Sequence, residues 1–349
     1  MYKRIVVKIG TKVITENGRL IEERLRVLVE QVAQLRARGV DVIVVTSGAV
    51  ATGKGILALE KSDSPATQQV YSAVGQVGLM SRYERLFRAH GLHCAQILVT
   101  KGDFRDKEHY ANMKSCFENL LREKIVPIVN ENDAISIPKL VFTDNDELAG
   151  LIGSQLNVDS VVFLTSVEGV LVDGESTISE IRENDIDEYK QNVRDTKSAG
   201  GRGGMQTKFI IAKRLMAQGI PVLIAKGTHE NVLLEIADGR AVGTKFVPGA
   251  KRSAAKRRLA YSEGLAVGAA YVDEGAAKIL VSKQSVSLLP VGITRVEGDF
   301  KKGDTIEVRN ASGKKLGFGV AQYDVKTALT LLGKKGARAL IHYNYLVMD

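Results

Sequence analysis

A lysine in the middle of an apolar, β-branched run is the first residue that asks for a chemical reason. Lys8 lies within Ile5–Ile9, and an ammonium buried there unpaired is costly enough to require an anion nearby. That anion is either a carboxylate of the protein or a phosphate of a ligand; a solvent-facing edge strand would need neither. A second lysine, Lys208, follows the glycine loop Ser198-Ala-Gly-Gly-Arg202-Gly203-Gly204 and the helix-like start Met205-Gln206-Thr207. Backbone N–H groups of such a loop, a helix N-terminus and a lysine in its first turn make a phosphate cradle; a flexible linker is the plain alternative.

The acidic cluster Asp144-Asn145-Asp146 opens another helix-period stretch. It reads equally as an N-cap with acidic residues complementing the helix dipole, or as a pocket. Such a pocket would orient lysines, bind a substrate ammonium or hold magnesium through water. Small and polar residues also gather where strand-like runs end, at Thr46-Ser47-Gly48-Ala49, Asn130-Glu131-Asn132-Asp133 and Leu164-Thr165-Ser166. Ligands of open α/β sheets bind beyond the carboxyl ends of the strands, so these segments are candidate walls of a phosphate and amino-acid site. Gly48-Ala-Val-Ala-Thr-Gly53-Lys54-Gly55 approaches a P-loop but has glycine where the magnesium-holding hydroxyl must stand. The P-loop reading is rejected.

Alternation supplies the frame that must position these residues. Strand-like runs at Ile5–Ile9, Val42–Thr46, Ala95–Thr100, Val126–Asn130, Ser160–Thr165 and Pro221–Ala225 are separated by amphipathic helical stretches. The latter are Glu22–Arg38, Thr67–Ala89, Tyr110–Arg122, Asp146–Leu156 and Met205–Gln218. This order predicts an α/β fold, a mostly parallel open sheet sandwiched by helices. After Pro248-Gly249 the texture changes to short strands with close turns, at 266–272, 291–296, 305–309 and 317–323. At 349 residues the chain is long enough for two domains. The expected division is 1–250, a basic linker over 251–262 and a small β-rich domain over 263–349.

The apolar fraction of 44% and charged fraction of 26% are those of a globular protein. No apolar run reaches the roughly 18 residues of a membrane-spanning helix. Met1-Tyr2-Lys3-Arg4 passes straight into the first strand without an apolar leader, so the expectation is a cytoplasmic protein. Cys94 and Cys116 match no metal or redox spacing and read as reduced core residues; His90 and His93 lack a third ligand. The net charge of +9 points to an anionic partner, nucleotide phosphate or RNA.

Taken in order, Val-Val-Lys8-Ile-Gly10-Thr, Val-Thr-Ser47-Gly-Ala, Asn130-Glu-Asn132-Asp133, Asp144-Asn-Asp146 and Gly203-Gly-Met205-Gln-Thr-Lys208 resemble the bacterial glutamate 5-kinase family. That family sits within the amino-acid kinase superfamily. Val272-Asp-Glu-Gly-Ala-Ala-Lys and Ser287-Leu-Leu-Pro290-Val-Gly-Ile resemble its C-terminal PUA domain. The resemblance implies that Lys8 and Lys208 neutralise a transferred phosphoryl group and that Asp146 positions them. It implies that Ser47, Gly48, Ala49, Asn130, Asp133, Asp144 and Asn145 hold L-glutamate. It places ATP against Lys8, Thr165, Ser166, Arg202, Gly203, Gly204, Met205, Gln206, Thr207 and Lys208. It further implies use of Mg2+, the first step of proline synthesis, inhibition by L-proline, homo-oligomers and a PUA-like tail that offers RNA a surface. The chain departs from the family pattern at Ser166 where it has Asp, at Leu171-Val172 where it has an aromatic, and at Arg202 where it has a small hydroxyl residue.

The implied reaction needs no general base, because a side-chain carboxylate with a reference pKa of about 4.3 is already ionised at neutral pH. No His/Asp or Cys/His constellation is evident, which agrees with that. Two alternatives stand beside it. One keeps the fold and changes the acceptor to acetylglutamate, aspartate, carbamate or a nucleoside monophosphate. The other is an RNA-binding protein, resting on the tail, the basic linker and the sequence pI of about 9.3.

Overall fold

The computed structural model describes residues 2–57, 64–135, 144–172, 176–192, 204–249, 266–282 and 286–348. They divide into two compact units, one of the described residues within 1–216 and 220–249, the other of 217–219 and those from 266 onward.

Eight strands among the described residues form the sheet of the first unit. They are β1 (Arg4–Ile9), β2 (Asp41–Val45), β3 (Cys94–Val99), β4 (Val126–Glu131), β5 (Ser160–Thr165), β6 (Glu180–Arg182), β7 (Val222–Lys226) and β8 (Thr244–Val247). Their spatial order is β6-β8-β7-β5-β1-β2-β4-β3. Every pairing is parallel except β7 with β8. β1 is central, with Lys8 in register with Val45 on one side and Phe163 on the other. Strands covered on both faces must be apolar throughout, and β1, β2, β4 and β5 are buried almost end to end.

The helices that carry site residues follow from periodicity and caps. α1 (Glu22–Ala37) buries Leu25, Leu28, Val29, Val32 and Leu35 at helical spacing. α2 (Ala49–Ile56) was concealed in the sequence by Gly53 and Gly55. α3 (Pro65–Arg88) starts where Ser64 Oγ accepts from the Thr67 N–H and proline takes the first turn. α4 (Lys107–Arg122) covers β4 with Phe117 and Leu121. α5 (Asn145–Gln155) and α6 (Met205–Met216) complete the set. A Cβ at Gly53 would stand 2.0 Å from the Tyr71 carbonyl oxygen, and one at Gly75 would stand 1.8 Å from that of Ala49. Glycine there lets α2 and α3 touch backbone to backbone. The P-loop-like segment is therefore a helix-packing element, with Lys54 lying over the Tyr71 ring.

The second unit holds a five-stranded sheet among the described residues: β9 (Gly268–Val272), β10 (Ile293–Gly298), β11 (Thr305–Asn310), β12 (Lys315–Ala321) and β13 (Ile341–Met348), ordered β10-β9-β11-β12-β13. Phe300, Ile306, Val308, Leu340 and Ile341 are at its core. β13 and the helices Glu274–Ser282 and Val325–Leu331 lie beyond the sequence expectation. One expectation needs correction. Cys116 is exposed and Cys94 half-buried, because α4 turns Cys116 away from the sheet.

Candidate active site

The carboxyl ends of β1, β2, β4 and β5 converge on the start of α5. Asp144 caps that helix, its Oδ1 accepting from the Asp146 and Glu147 N–H groups at 2.9 and 3.0 Å. The cap aims Asp146 inward, where it is fully buried. Lys8 Nζ stands 2.6 Å from Asp146 Oδ1, and Lys208 Nζ stands 2.7 Å from Oδ2. Both lysines are buried as well. The close approach of α5 and α6 that makes this possible depends on Gly150, where a Cβ would lie 2.6 Å from Ile211. Gly10 keeps the turn after β1 tight, its N–H donating to the Leu164 carbonyl at 3.0 Å.

One buried carboxylate thus stands between two buried ammoniums. Burial opposes the charge on Asp146, but Lys8 and Lys208 outweigh it and hold its carboxyl below the usual range. Asp144 goes the other way. Burial first, and Asp146 second, push its carboxyl up to about 6. Its Oδ2 is buried and has no hydrogen-bond partner among the described residues, so it is an acceptor left for a cation or a ligand donor.

A second cluster joins β2, β4 and α5 through amides. Asn145 Nδ2 faces the Thr46 carbonyl at 2.8 Å, Asn130 Oδ1 at 3.0 Å and Ser47 Oγ at 3.1 Å. Asn130 Oδ1 also accepts from the Glu131 N–H, and Asn130 Nδ2 donates to Gln76 Oε1 at 3.0 Å. Thr46 Oγ1 meets the Tyr83 hydroxyl at 2.7 Å, and burial raises that phenol above its ordinary range. Gly48 adopts φ +103° before α2, and Ala49, the first residue of that helix, is buried. Asp133 lies farther out, reached by Ser72 Oγ at 3.4 Å.

The candidate nucleotide residues are less tightly joined. Thr165 Oγ1 closes a small turn with the N–H and carbonyl of Val167. Ser166 is exposed, while Gly204, Met205, Gln206 and Thr207 are half-buried at the head of α6. Gln206 donates to the Lys190 carbonyl at 2.9 Å. Arg202 and Gly203 lie outside the described residues. Sequence reasoning missed Ser72 and Gln76 on α3, and the pair Lys101–Glu147, joined at 2.6 Å beside the Asp144 cap. Polar residues inside an amphipathic helix give no signal that separates them from solvent-facing ones. Among the described residues no group of three His, Cys, Asp or Glu side chains is placed to hold a metal, and no helix is long and apolar enough to cross a membrane.

Residues 3–226 match the model of the amino acid kinase family, and residues 268–342 that of the PUA domain. The glutamate 5-kinase of Chlorobaculum tepidum is 48% identical over all of this chain and 98% of its own length. That of Bacteroides thetaiotaomicron is 40% identical, over all of this chain and 99% of its own. In fold, the chain is similar to a carbamate kinase from Giardia lamblia bound to AMP-PNP, with a TM-score of 0.53 at 13% identity, over 70% of this chain and 98% of that one. A sheet that gathers two lysines onto one buried carboxylate, with these likenesses over its whole length, places the chain in the amino acid kinase family, among its PUA-bearing glutamate 5-kinases.

Proposed function

We propose that the chain transfers the γ-phosphoryl group of ATP to the side-chain carboxylate of L-glutamate, giving glutamyl 5-phosphate. The observation that carries this reading is the pair Lys8 and Lys208 held on opposite oxygens of Asp146. Phosphoryl transfer asks of a protein mainly positioning and neutralisation of charge on the moving oxygens. The Asp146 carboxylate fixes two donors in advance, so they need not reorganise as the group passes. The carboxylate acceptor attacks in its ionised form, and no proton has to be taken from it. Ser47, Gly48, Ala49, Asn130, Asp133, Asp144 and Asn145 would hold the amino acid, with acceptor atoms for its ammonium. Thr165, Ser166 and the 202–208 segment would hold the nucleotide.

Magnesium fits this donor set in a limited way. Mg2+ is usually bound by one or two carboxylates together with substrate phosphates and waters. Both oxygens of Asp146 are taken by lysines, which leaves Asp144 Oδ2 as the carboxylate oxygen for the ion or its water. When bound, the ion would supply further neutralisation of the phosphate oxygens. The kinship with glutamate 5-kinases supports three further readings: a place at the first step of proline synthesis, inhibition by L-proline at an overlapping site, and a homo-oligomer.

The test is ADP release measured across glutamate, aspartate, acetylglutamate, carbamate and a nucleoside monophosphate, with hydroxylamine present to trap an acyl phosphate. The expected result is a hydroxamate from glutamate alone. Release with another acceptor and not glutamate would reassign the substrate. A second reading, RNA contact through the C-terminal unit, draws on the exposed Tyr343 and Tyr345 and on Arg295 stacked 3.9 Å over Tyr271. Filter binding at two salt concentrations tests it, because phosphate contacts weaken steeply with salt.

A further inference from the structure

The orientation of the buried amides can be worked out from backbone groups that cannot be flipped. The Glu131 N–H lies 3.0 Å from one terminal atom of Asn130, so that atom is the oxygen Oδ1. The other, Nδ2, is then a donor, and its neighbour on Gln76 at 3.0 Å must be the acceptor Oε1. Gln76 Nε2 is left with both hydrogens, buried and without a partner among the described residues. Buried donors are almost always satisfied, and an unsatisfied one bordering a site marks a place for a ligand acceptor.

The helix face that presents Gln76 is built against the site. Ser72 precedes it by one turn on the same face of α3 and reaches Asp133, while Gln76 reaches Asn130. Asn130 lies at the end of β4 and Asp133 in the turn that follows it. Gly53 and Gly75 hold α3 tightly against α2. The turn after β4, reached from the same helix face, offers the carboxylate oxygens of Asp133. These suit an ammonium. Lys8 and Lys208 are committed to Asp146. A zwitterionic amino acid also brings an α-carboxylate, and Gln76 Nε2 is a donor with both hydrogens uncommitted.

We infer that Gln76 is a substrate-binding residue, its Nε2–H donating to the α-carboxylate of the amino-acid substrate while its Oε1 holds Asn130 in place. This rests on the glutamate reading above. Gln76→Glu keeps an acceptor for Asn130 and removes the donor. Gln76→Met removes donor and acceptor without charge, and covers the event that the first variant does not fold. Calorimetric binding of glutamate and of 4-aminobutyrate, which lacks the α-carboxylate, separates direct contact from support of Asn130.

Glutamate affinity is expected to fall about 10–100-fold in each variant, the range for losing one hydrogen bond to a charged group. In Gln76→Glu the affinity for 4-aminobutyrate should change less than about threefold, and kcat at saturating glutamate should fall far less than kcat/KM. Equal losses for both ligands in Gln76→Glu would reduce Gln76 to support of Asn130 and overturn the inference. So would unchanged glutamate affinity in either soluble variant. If the unsubstituted protein neither binds nor phosphorylates glutamate, the glutamate reading itself fails, a result that neither variant can mimic.

Discussion

Lys208 Nζ meets Asp146 Oδ2 at 2.7 Å in a place where the carboxylate has no exposure at all. The other oxygen faces Lys8, so one side chain governs two donors brought from opposite ends of the first unit. Removing either donor should therefore be felt in the chemical step. Lys8→Ala and Lys208→Ala are expected to lower kcat about 10²–10³-fold with a smaller change in glutamate KM. Steady-state ADP release checks this, and unchanged turnover in a folded variant would take that lysine out of the mechanism.

Asp146→Ala is expected to damage stability as well as turnover. It strands two buried ammoniums, and breaking a buried pair from one side costs about 3–5 kcal/mol. Lys8→Met should cost less, since Asp146 keeps Lys208 as a partner. Denaturant unfolding of both variants decides the order; a milder loss in Asp146→Ala would mean that water reaches the lysines.

Asp144 gives a pH signature. In the fold its carboxyl holds a proton up to about pH 6, against an ordinary value of 3.8. Between those values the folded chain binds more protons than the unfolded one, so stability falls as pH rises through that window. The full effect is at most about 3 kcal/mol. Asp144→Asn keeps the cap and removes the ionisation, so its Tm should exceed that of the unsubstituted protein at pH 7.5 and approach it at pH 4. A gap that stays constant with pH would refute the assignment.

The glycines of α2 and α3 should divide sharply. Gly53→Ala or Gly75→Ala would push a methyl group into the facing backbone, and a loss of several kcal/mol or failure to fold is expected. Gly55→Ala meets nothing within 4 Å and should stabilise by up to about 1 kcal/mol. Thermal melts of the three variants test the packing directly.

A chain ending at Gly249 is expected to fold and to retain kinase activity. The described candidate residues from Lys8 to Lys208 and the whole β1–β8 sheet precede that point. Loss of activity in a soluble, folded truncation would show that the tail completes the site, and the proposed boundary over 251–262 would have to move.

Much of this is legible in the sequence. Fully apolar strands alternating with periodic helices can satisfy their faces in few ways, so the parallel sheet followed from β1, β2, β4 and β5. Lys8 announced a need for an anion, but periodicity does not say which carboxylate arrives from elsewhere in the chain. At Asp144-Asn145-Asp146 the two readings turn out to be compatible geometrically: Asp144 caps the helix, and the cap turns Asp146 toward the lysines. What stayed hidden depended on tertiary approach. Gly53 and Gly55 argue against a helix locally and are explained only by Tyr71 and open space. Gln76 resembles any polar residue of a long helix until Asn130 is seen beside it.

The central position of β1 has a consequence for isotope exchange. The backbone at Lys8 is laddered on both sides, to β2 and to β5, so its deuterium uptake should track opening of the whole sheet. The first turn of α6 has no such ladder, since the leading N–H groups of a helix lack partners within it. Met205 should therefore exchange early and Lys8 last, and nucleotide should slow Met205 while leaving Lys8 nearly unchanged.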